Sequence, residues 1–196
     1  KQISAMKKEY EDDIRNALKV LRDGGVILYP TDTVWGLGCD PSTGEAVKRI
    51  GEIKKRVDKK GLIILVNSVS MLTRYVVDPP EMALQMAEWS ETPLTVIYDH
   101  GRGVAEGVAA DDGSLAVRLC SDPFCDDLMT AFRRPLVSTS ANASGTPAPA
   151  FFDQIAEEIR MAADYVCLWR QDDRSSAEAS SVIKVSGNGI VKILRG

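Results

Sequence analysis

The sequence predicts an α/β fold, a twisted sheet of mixed parallel and antiparallel strands with helices packed on it. Short apolar runs, bounded by Gly, Pro or polar turns, recur along the chain as buried strands do. Several are separated by amphipathic segments with a spacing of about 3.6 residues, which places helices between strands and favours parallel pairing. The last two apolar runs are joined by Ser186-Gly187-Asn188-Gly189. Such a turn makes a hairpin and forces antiparallel pairing at that end.

Tyr10, Ile14, Ala17, Leu18 and Leu21 share one face of a helix expected from about Met6 to Asp23, and Gly24-Gly25 stops it. Val26–Tyr29 is the first buried strand, ended by Pro30. Ser42 or Thr43 caps a second helix, with Ala46, Val47, Ile50 and Ile53 inward. Its outward face and the loop beyond hold Lys48, Arg49, Lys54, Lys55, Arg56, Lys59 and Lys60. Leu62–Val66 is the next strand. A helix starting near Pro80 spans Met82, Leu84, Met86 and Trp89. Strands follow at Leu94–Tyr98, Leu115–Cys120 and Leu136–Ser140, the last two separated by a helix over Pro123–Phe132. A helix over Phe152–Ala163 leads to an apolar run at Tyr165–Trp169, and Val182–Val185 and Ile190–Leu194 close the chain. His100–Gly113 and Arg170–Ala179 read as loops.

The 196 residues suffice for a substantial core, and neither a repeat nor a low-complexity tract divides them. A net charge of −4 excludes a surface that is basic as a whole, so any nucleic-acid contact must use a local patch. The four cysteines show no zinc-type pairing, and His100 is the only histidine. Reduced, buried thiols in a cytoplasmic protein are the expectation. No apolar run approaches membrane-spanning length, and Lys1–Asp13 is too polar for a signal peptide, so no membrane contact is expected.

Two segments dense in hydroxyls and glycine each follow a strand: Pro30-Thr31-Asp32-Thr33-Val34-Trp35-Gly36-Leu37-Gly38 and Ser138-Thr139-Ser140-Ala141-Asn142-Ala143-Ser144-Gly145. Strand ends of this kind offer backbone N–H groups and hydroxyls to a ligand with little obstruction. Each equally suits a turn whose polar groups satisfy the local backbone. Ser140 and Asn142, at alternate positions, point the same way if the strand continues. Lys54, Arg56 and Lys60 fall where a helix gives way to a loop and could clamp phosphates or a carboxylate. No Gly-x-x-x-x-Gly-Lys-Ser/Thr loop and no Gly-x-Ser-x-Gly elbow occurs, which sets aside the P-loop and the serine hydrolase. Arg118, inside Leu115–Cys120, needs an anionic partner if buried, either a protein carboxylate or a ligand. Ser180-Ser181 opens one late strand and Arg195 closes the other.

Taken in order, these pieces resemble the signature elements of the YrdC-like family, the threonylcarbamoyl-AMP synthases. The matching elements are Pro30-Thr31-Asp32-Thr33 with Gly36-Leu37-Gly38, Lys54-Lys55-Arg56, Ala116-Val117-Arg118, Ser140 to Gly145, and the closing Leu194-Arg195-Gly196. The resemblance covers Gly24 to Gly196. The chain departs from the family's pattern at Val57, Gly61, Glu91–Thr95 and Ser180-Ser181, which touches loop geometry and threonine contacts more than reaction class.

The resemblance implies a YrdC-like open α/β fold and a single catalytic domain over residues 1–196. It implies a nucleotidyltransferase that makes threonylcarbamoyl-AMP and pyrophosphate from L-threonine, bicarbonate and ATP, with Mg²⁺ accompanying the ATP and no metal held by the protein. The product would pass to a threonylcarbamoyl transferase complex that modifies tRNA beside the anticodon. By position, Thr33, Arg118 and Ser180 match the family's threonine contacts. Arg56, Lys60, Ser114, Ser140, Asn142 and Arg195 match its ATP contacts, and Lys54 and Arg56 would supply the catalytic cations. Two other readings stand beside it: a module binding double-stranded RNA or tRNA through the Lys48–Lys60 patch, and a related carbamoyl-adenylate-forming domain.

Overall fold

Nine strands join in one sheet among the residues described by the structure, a computed structural model covering 9–57, 60–175 and 178–196. In chain order they are β1 (Ile27–Tyr29), β2 (Gly36–Gly38), β3 (Ile63–Val66), β4 (Leu94–Tyr98), β5 (Leu115–Leu119), β6 (Leu136–Ser140), β7 (Tyr165–Val166), β8 (Ser181–Val185) and β9 (Val191–Arg195). Their order across the sheet is β7-β1-β2-β6-β3-β5-β4-β8-β9. β1/β7, β3/β5 and β4/β8 pair in parallel, and the other neighbours are antiparallel. The mixed α/β sheet expected from the sequence is the one observed.

Directly opposed residues share a face of a sheet, so the register sorts side chains into two unlike sets. One cross-strand row runs Val137, Ile64, Val117, Val96, Ile183, and every member is buried and apolar. The row one residue along runs Leu136, Leu65, Arg118, Thr95, Val182, Arg195. Alternation therefore puts Arg118 and Thr95 on the face opposite the apolar row. The register shift at Val182/Ile183, rather than alternation, brings Arg195 opposite Val182 in their row.

The helices are α1 (Glu11–Arg22), α2 (Gly44–Ile53), α3 (Val69–Tyr75), α4 (Glu81–Trp89), α5 (Pro123–Phe132) and α6 (Glu157–Ala162). In α1, acidic residues fill the first turn and Lys19 and Arg22 the last, as the helix dipole favours. Asp13 is buried on α1 because it accepts hydrogen bonds from Tyr165 Oη (2.5 Å), Leu168 N (2.9 Å) and Trp169 N (2.6 Å). These bonds fasten β7 and the chain beyond it to α1. Asp122 caps α5 by accepting from Cys125 N at 3.1 Å, Pro123 begins the helix, and Arg133 ends it in the left-handed region at φ +61°.

Several local expectations differ from what forms. The first helix begins at Glu11 with Tyr10 as its N-cap; the Met6 start lies outside the described residues. The expected helix over Phe152–Ala163 is a 3₁₀ turn at Phe152–Gln154, a break at Ile155-Ala156, and then α6. Of Tyr165–Trp169 only Tyr165–Val166 pairs as strand. α4 buries Ala83 and Ala87 and leaves Met82 and Trp89 exposed. α3 was not expected: Ser68 caps it by accepting from Met71 N at 3.1 Å, and Met71 and Leu72 pack inward.

Candidate active site

A cavity of about 360 Å³ collects side chains from six separated stretches of chain. The β1–β2 connection supplies Thr33, the end of α2 supplies Lys54 and Arg56, and β5 supplies Arg118. The end of β6 and the turn after it supply Ser140 and Asn142, Ser180 comes from the residue before β8, and Arg195 from β9. A second hollow of about 700 Å³ shares Thr33, Val34 and Ala179 with it and is lined further by Asp32, Asp122, Arg170 and Asp173.

Arg118 is the centre of the arrangement. It is 3% exposed, and its charge is met by Asp32: Nη2 lies 3.0 Å and Nε 3.2 Å from Asp32 Oδ1. The anionic partner required by a buried arginine is thus a protein carboxylate, and the sequence reading did not single it out. Nη2 also donates to Thr33 Oγ1 at 3.2 Å. Thr31 Oγ1 donates to Val34 O at 2.7 Å and accepts from Thr33 N at 3.1 Å. With its own proton so used, Thr31 is the acceptor in the 3.1 Å contact between the two threonine hydroxyls. The Thr33 oxygen keeps one lone pair for a ligand.

The opposite side of Arg118's row is built by Ser180, whose Oγ lies 2.7 Å from Thr95 Oγ1. Arg195 Nε donates to the Ser180 carbonyl oxygen at 2.9 Å and Nη2 to Ser180 Oγ at 3.4 Å. Thr95, fully buried beside Arg118 in the sheet, is a supporting residue that sequence reasoning missed. Only the strand register could have revealed it.

Lys54 corrects the expectation of an outward-facing cation. It is the C-cap of α2 and 5% exposed, and Lys55 at φ +51° turns the chain away after it. Nζ donates to the carbonyl oxygens of Ser140 (2.6 Å) and Asn142 (2.8 Å), and Ser144 N donates to Lys54 O at 2.7 Å. The ammonium thereby ties the loop after β6 to the end of α2. Arg49, also expected on a solvated face, pairs with Asp164 and donates to Ala162 O at 2.7 Å. Lys55 faces Glu158 at 3.7 Å. Within the described part of the run, Arg49, Lys54, Lys55 and Arg56 thus hold different partners, while Lys48 and Lys60 are exposed; Lys59 lies outside the described residues.

Ser140 and Asn142 both reach the cavity, but not by strand alternation. β6 ends at Ser140, and Asn142 N donates back to Ser140 O at 2.9 Å, so the chain turns there. Asn142 Nδ2 closes that loop on Thr146 O at 2.6 Å. The segment forms a turn, and Ser140 and Asn142 at that turn line the cavity. Arg56 lines the same cavity and donates to Gly61 O at 3.2 Å.

Two expected ATP contacts do not join the cavity. Lys60 is exposed and lines a third hollow beside α2, which shares Arg56 and Leu62 with the cavity, and its carbonyl oxygen accepts from Arg56. Ser114 donates to Asp112 Oδ1 at 2.5 Å and caps the loop before β5. That bond and the Ser114 N–H hold the Asp112 carboxyl below its usual range.

No cysteine is poised as a nucleophile. All four are free of disulfides and buried; burial pushes the Cys39 thiol up to about 12 and the Cys167 thiol well up, and the contact with Cys120, followed by burial, pushes the Cys125 thiol well up. Among the described residues, no group of three His, Cys, Asp or Glu could hold a metal ion. No described helix is long and apolar enough to cross a membrane.

A family model named Sua5/YciO/YrdC and described as "Telomere recombination" matches residues 19–196. The chain is 39% identical over 138 residues to the threonylcarbamoyl-AMP synthase of Halorhodospira halophila, covering 67% of this chain and 69% of that one. It is 34% identical over 152 residues to the one of Vibrio parahaemolyticus, covering 76% and 82%. Among solved structures, P. abyssi Sua5 complexed with L-threonine is 29% identical, with a TM-score of 0.76 over 88% of this chain. This chain spans about half of that one, 50%. E. coli YciO, at 23% identity and TM-score 0.80 over 93% of this chain and 87% of its own, shares the fold. The chain belongs to the Sua5/YciO/YrdC family.

Proposed function

We propose that this cavity binds L-threonine and ATP side by side and makes threonylcarbamoyl-AMP from them and bicarbonate, with release of pyrophosphate. The observation that carries the reading is the convergence of Thr33, Arg56, Arg118, Ser140, Asn142, Ser180 and Arg195, from distant parts of the sequence, on one hollow. The relatives named threonylcarbamoyl-AMP synthase and the P. abyssi Sua5 complex with L-threonine support it. On this reading, residues 1–196 act as one catalytic domain.

On this reading the Arg118 guanidinium receives the threonine carboxylate, and Thr33 and Ser180 meet its hydroxyl. Arg56 and Arg195 face the ATP phosphates, and the loop at Ser140–Asn142, held by Lys54, meets the nucleotide. The threonine amine attacks the carbon of bicarbonate, and water leaves as the carbamate forms. A carbamate oxygen then attacks the α-phosphorus, and pyrophosphate departs. No covalent enzyme intermediate is needed. The protein's contribution is positioning, together with fixed cations where negative charge develops, and loss of one such group costs on the order of 2–4 kcal/mol. Magnesium accompanying ATP would neutralise part of the phosphate charge.

The same reading gives the product to a threonylcarbamoyl transferase complex for tRNA modification. It places the chain in the cytoplasm, which four thiols free of disulfides suit. A tRNA contact would fall to Lys48, Lys55 and Lys60, all exposed. Pyrophosphate release from ATP and bicarbonate, measured across a panel of amino acids, tests the proposal. Strong dependence on L-threonine is expected, and release indifferent to the amino acid would refute it.

A further inference from the structure

The Asp32–Arg118 pair stands on a border. Arg118 opens onto the smaller cavity, beside Lys54, Arg56 and Arg195. Asp32 lines the larger hollow, beside Asp122, Asp173 and Glu178, with Arg170 as its cation. One side of the pair is therefore rich in positive charge and the other in negative charge, with Thr33 and Val34 common to both.

The pair also leaves capacity unused. Both bonds from Arg118 to Asp32 end on the same oxygen, Oδ1. Among the described residues, Asp32 Oδ2 accepts no hydrogen bond, and Arg118 Nη1 donates none. A carboxylate has room for about four acceptor bonds, and a guanidinium has five N–H donors. A pair serving only to neutralise a buried arginine gains nothing from an unused oxygen beside an acidic hollow.

We infer that Asp32 and Arg118 together form a receptor for the zwitterionic end of an α-amino acid, with Asp32 Oδ2 accepting from the α-ammonium while Arg118 Nη1 donates to the α-carboxylate. This rests on the proposed threonine site and deepens it by assigning the residue that selects the amino group. The zwitterion replaces no bond of the existing pair. It adds one charge-assisted contact to each member, and it aligns with the field between the two hollows. Once the bound ammonium has released a proton to bulk water, Asp32 holds the resulting amine in place for attack, which makes it a specificity-determining and positioning residue.

Calorimetry with the intact chain tests the inference. The ligands are L-threonine and 2,3-dihydroxybutanoate of matching stereochemistry, in which a hydroxyl replaces the ammonium. The native protein is expected to bind threonine on the order of 10- to 100-fold more tightly than the analogue, as a charged hydrogen bond would give. Asp32→Asn is expected to remove that preference while ATP affinity, measured in parallel as a sign of correct folding, stays within about twofold. Equal affinities in the native protein, or an unchanged preference in the variant, would overturn the inference while leaving the threonine site standing. If the native protein binds ATP but neither amino-acid ligand, the functional reading fails first and the inference falls with it. Should Asp32→Asn not fold, the native comparison alone decides.

Discussion

Lys54 holds Asn142 twice: its ammonium donates to the Asn142 carbonyl oxygen at 2.8 Å and to Oδ1 at 3.4 Å. A lysine of the basic run has thus become a buried strut between the end of α2 and the loop after β6. Lys54→Met keeps the stem and removes the donor; the Ser140 carbonyl oxygen keeps the Asn142 N–H at 2.9 Å, while the Asn142 carbonyl oxygen loses its ammonium donor. Such a loss costs about 1–3 kcal/mol. Thermal unfolding should shift downward accordingly, and the KM for ATP should rise on the order of tenfold.

Arg118→Lys should be far from conservative. A single ammonium cannot span Asp32 and Thr33 while still presenting a donor to the cavity. The threonine KM is expected to rise on the order of a hundredfold in steady-state kinetics, with the ATP KM changed much less.

Lys60→Ala and Ser114→Ala should leave the ATP KM within about twofold, since neither side chain lines the shared cavity. Ser114→Ala should instead alter acid stability. In the folded state the Asp112 carboxyl is held below its ordinary range by the Ser114 bonds, so its contribution is present above that range and is lost as pH falls through the lowered value. In the variant the Ser114 hydroxyl bond is absent, and denaturation at low pH should show a smaller contribution lost at a higher pH.

Gly38→Ala should destabilise without touching the chemistry. A Cβ there would sit 2.4 Å from Tyr29 Cε1 and 2.8 Å from the Val137 carbonyl oxygen, the group to which the Tyr29 hydroxyl donates at 3.0 Å. Overpacking of this kind costs about 1–3 kcal/mol, measurable as a lower midpoint in urea. The ATP KM of the folded fraction should be unchanged.

Apolar runs and turn residues made most of the sheet legible in the sequence, because a buried strand declares itself by hydrophobicity alone. α3 was harder to read: its seven residues carry too little periodicity, and only the Ser68 cap marks it. The 3₁₀ turn at Phe152 was hidden because it continues a helical pattern that breaks at Ile155-Ala156. At the site, Arg118 was recognisable as a charge inside an apolar strand, yet Asp32 was not, because their closeness depends on a separation of 86 residues in the chain. Lys54 and Lys60 look alike in the sequence. The left-handed turn at Lys55 helps send one into the protein, while the other stays at the surface.

The most direct measurement incubates the protein with ATP, L-threonine and ¹³C-bicarbonate and reads the nucleotide products by mass spectrometry. The expected result is threonylcarbamoyl-AMP carrying one ¹³C, formed in equal amount with pyrophosphate. Pyrophosphate without the labelled adenylate, or a labelled adenylate that forms equally well with other amino acids, would contradict the assignment.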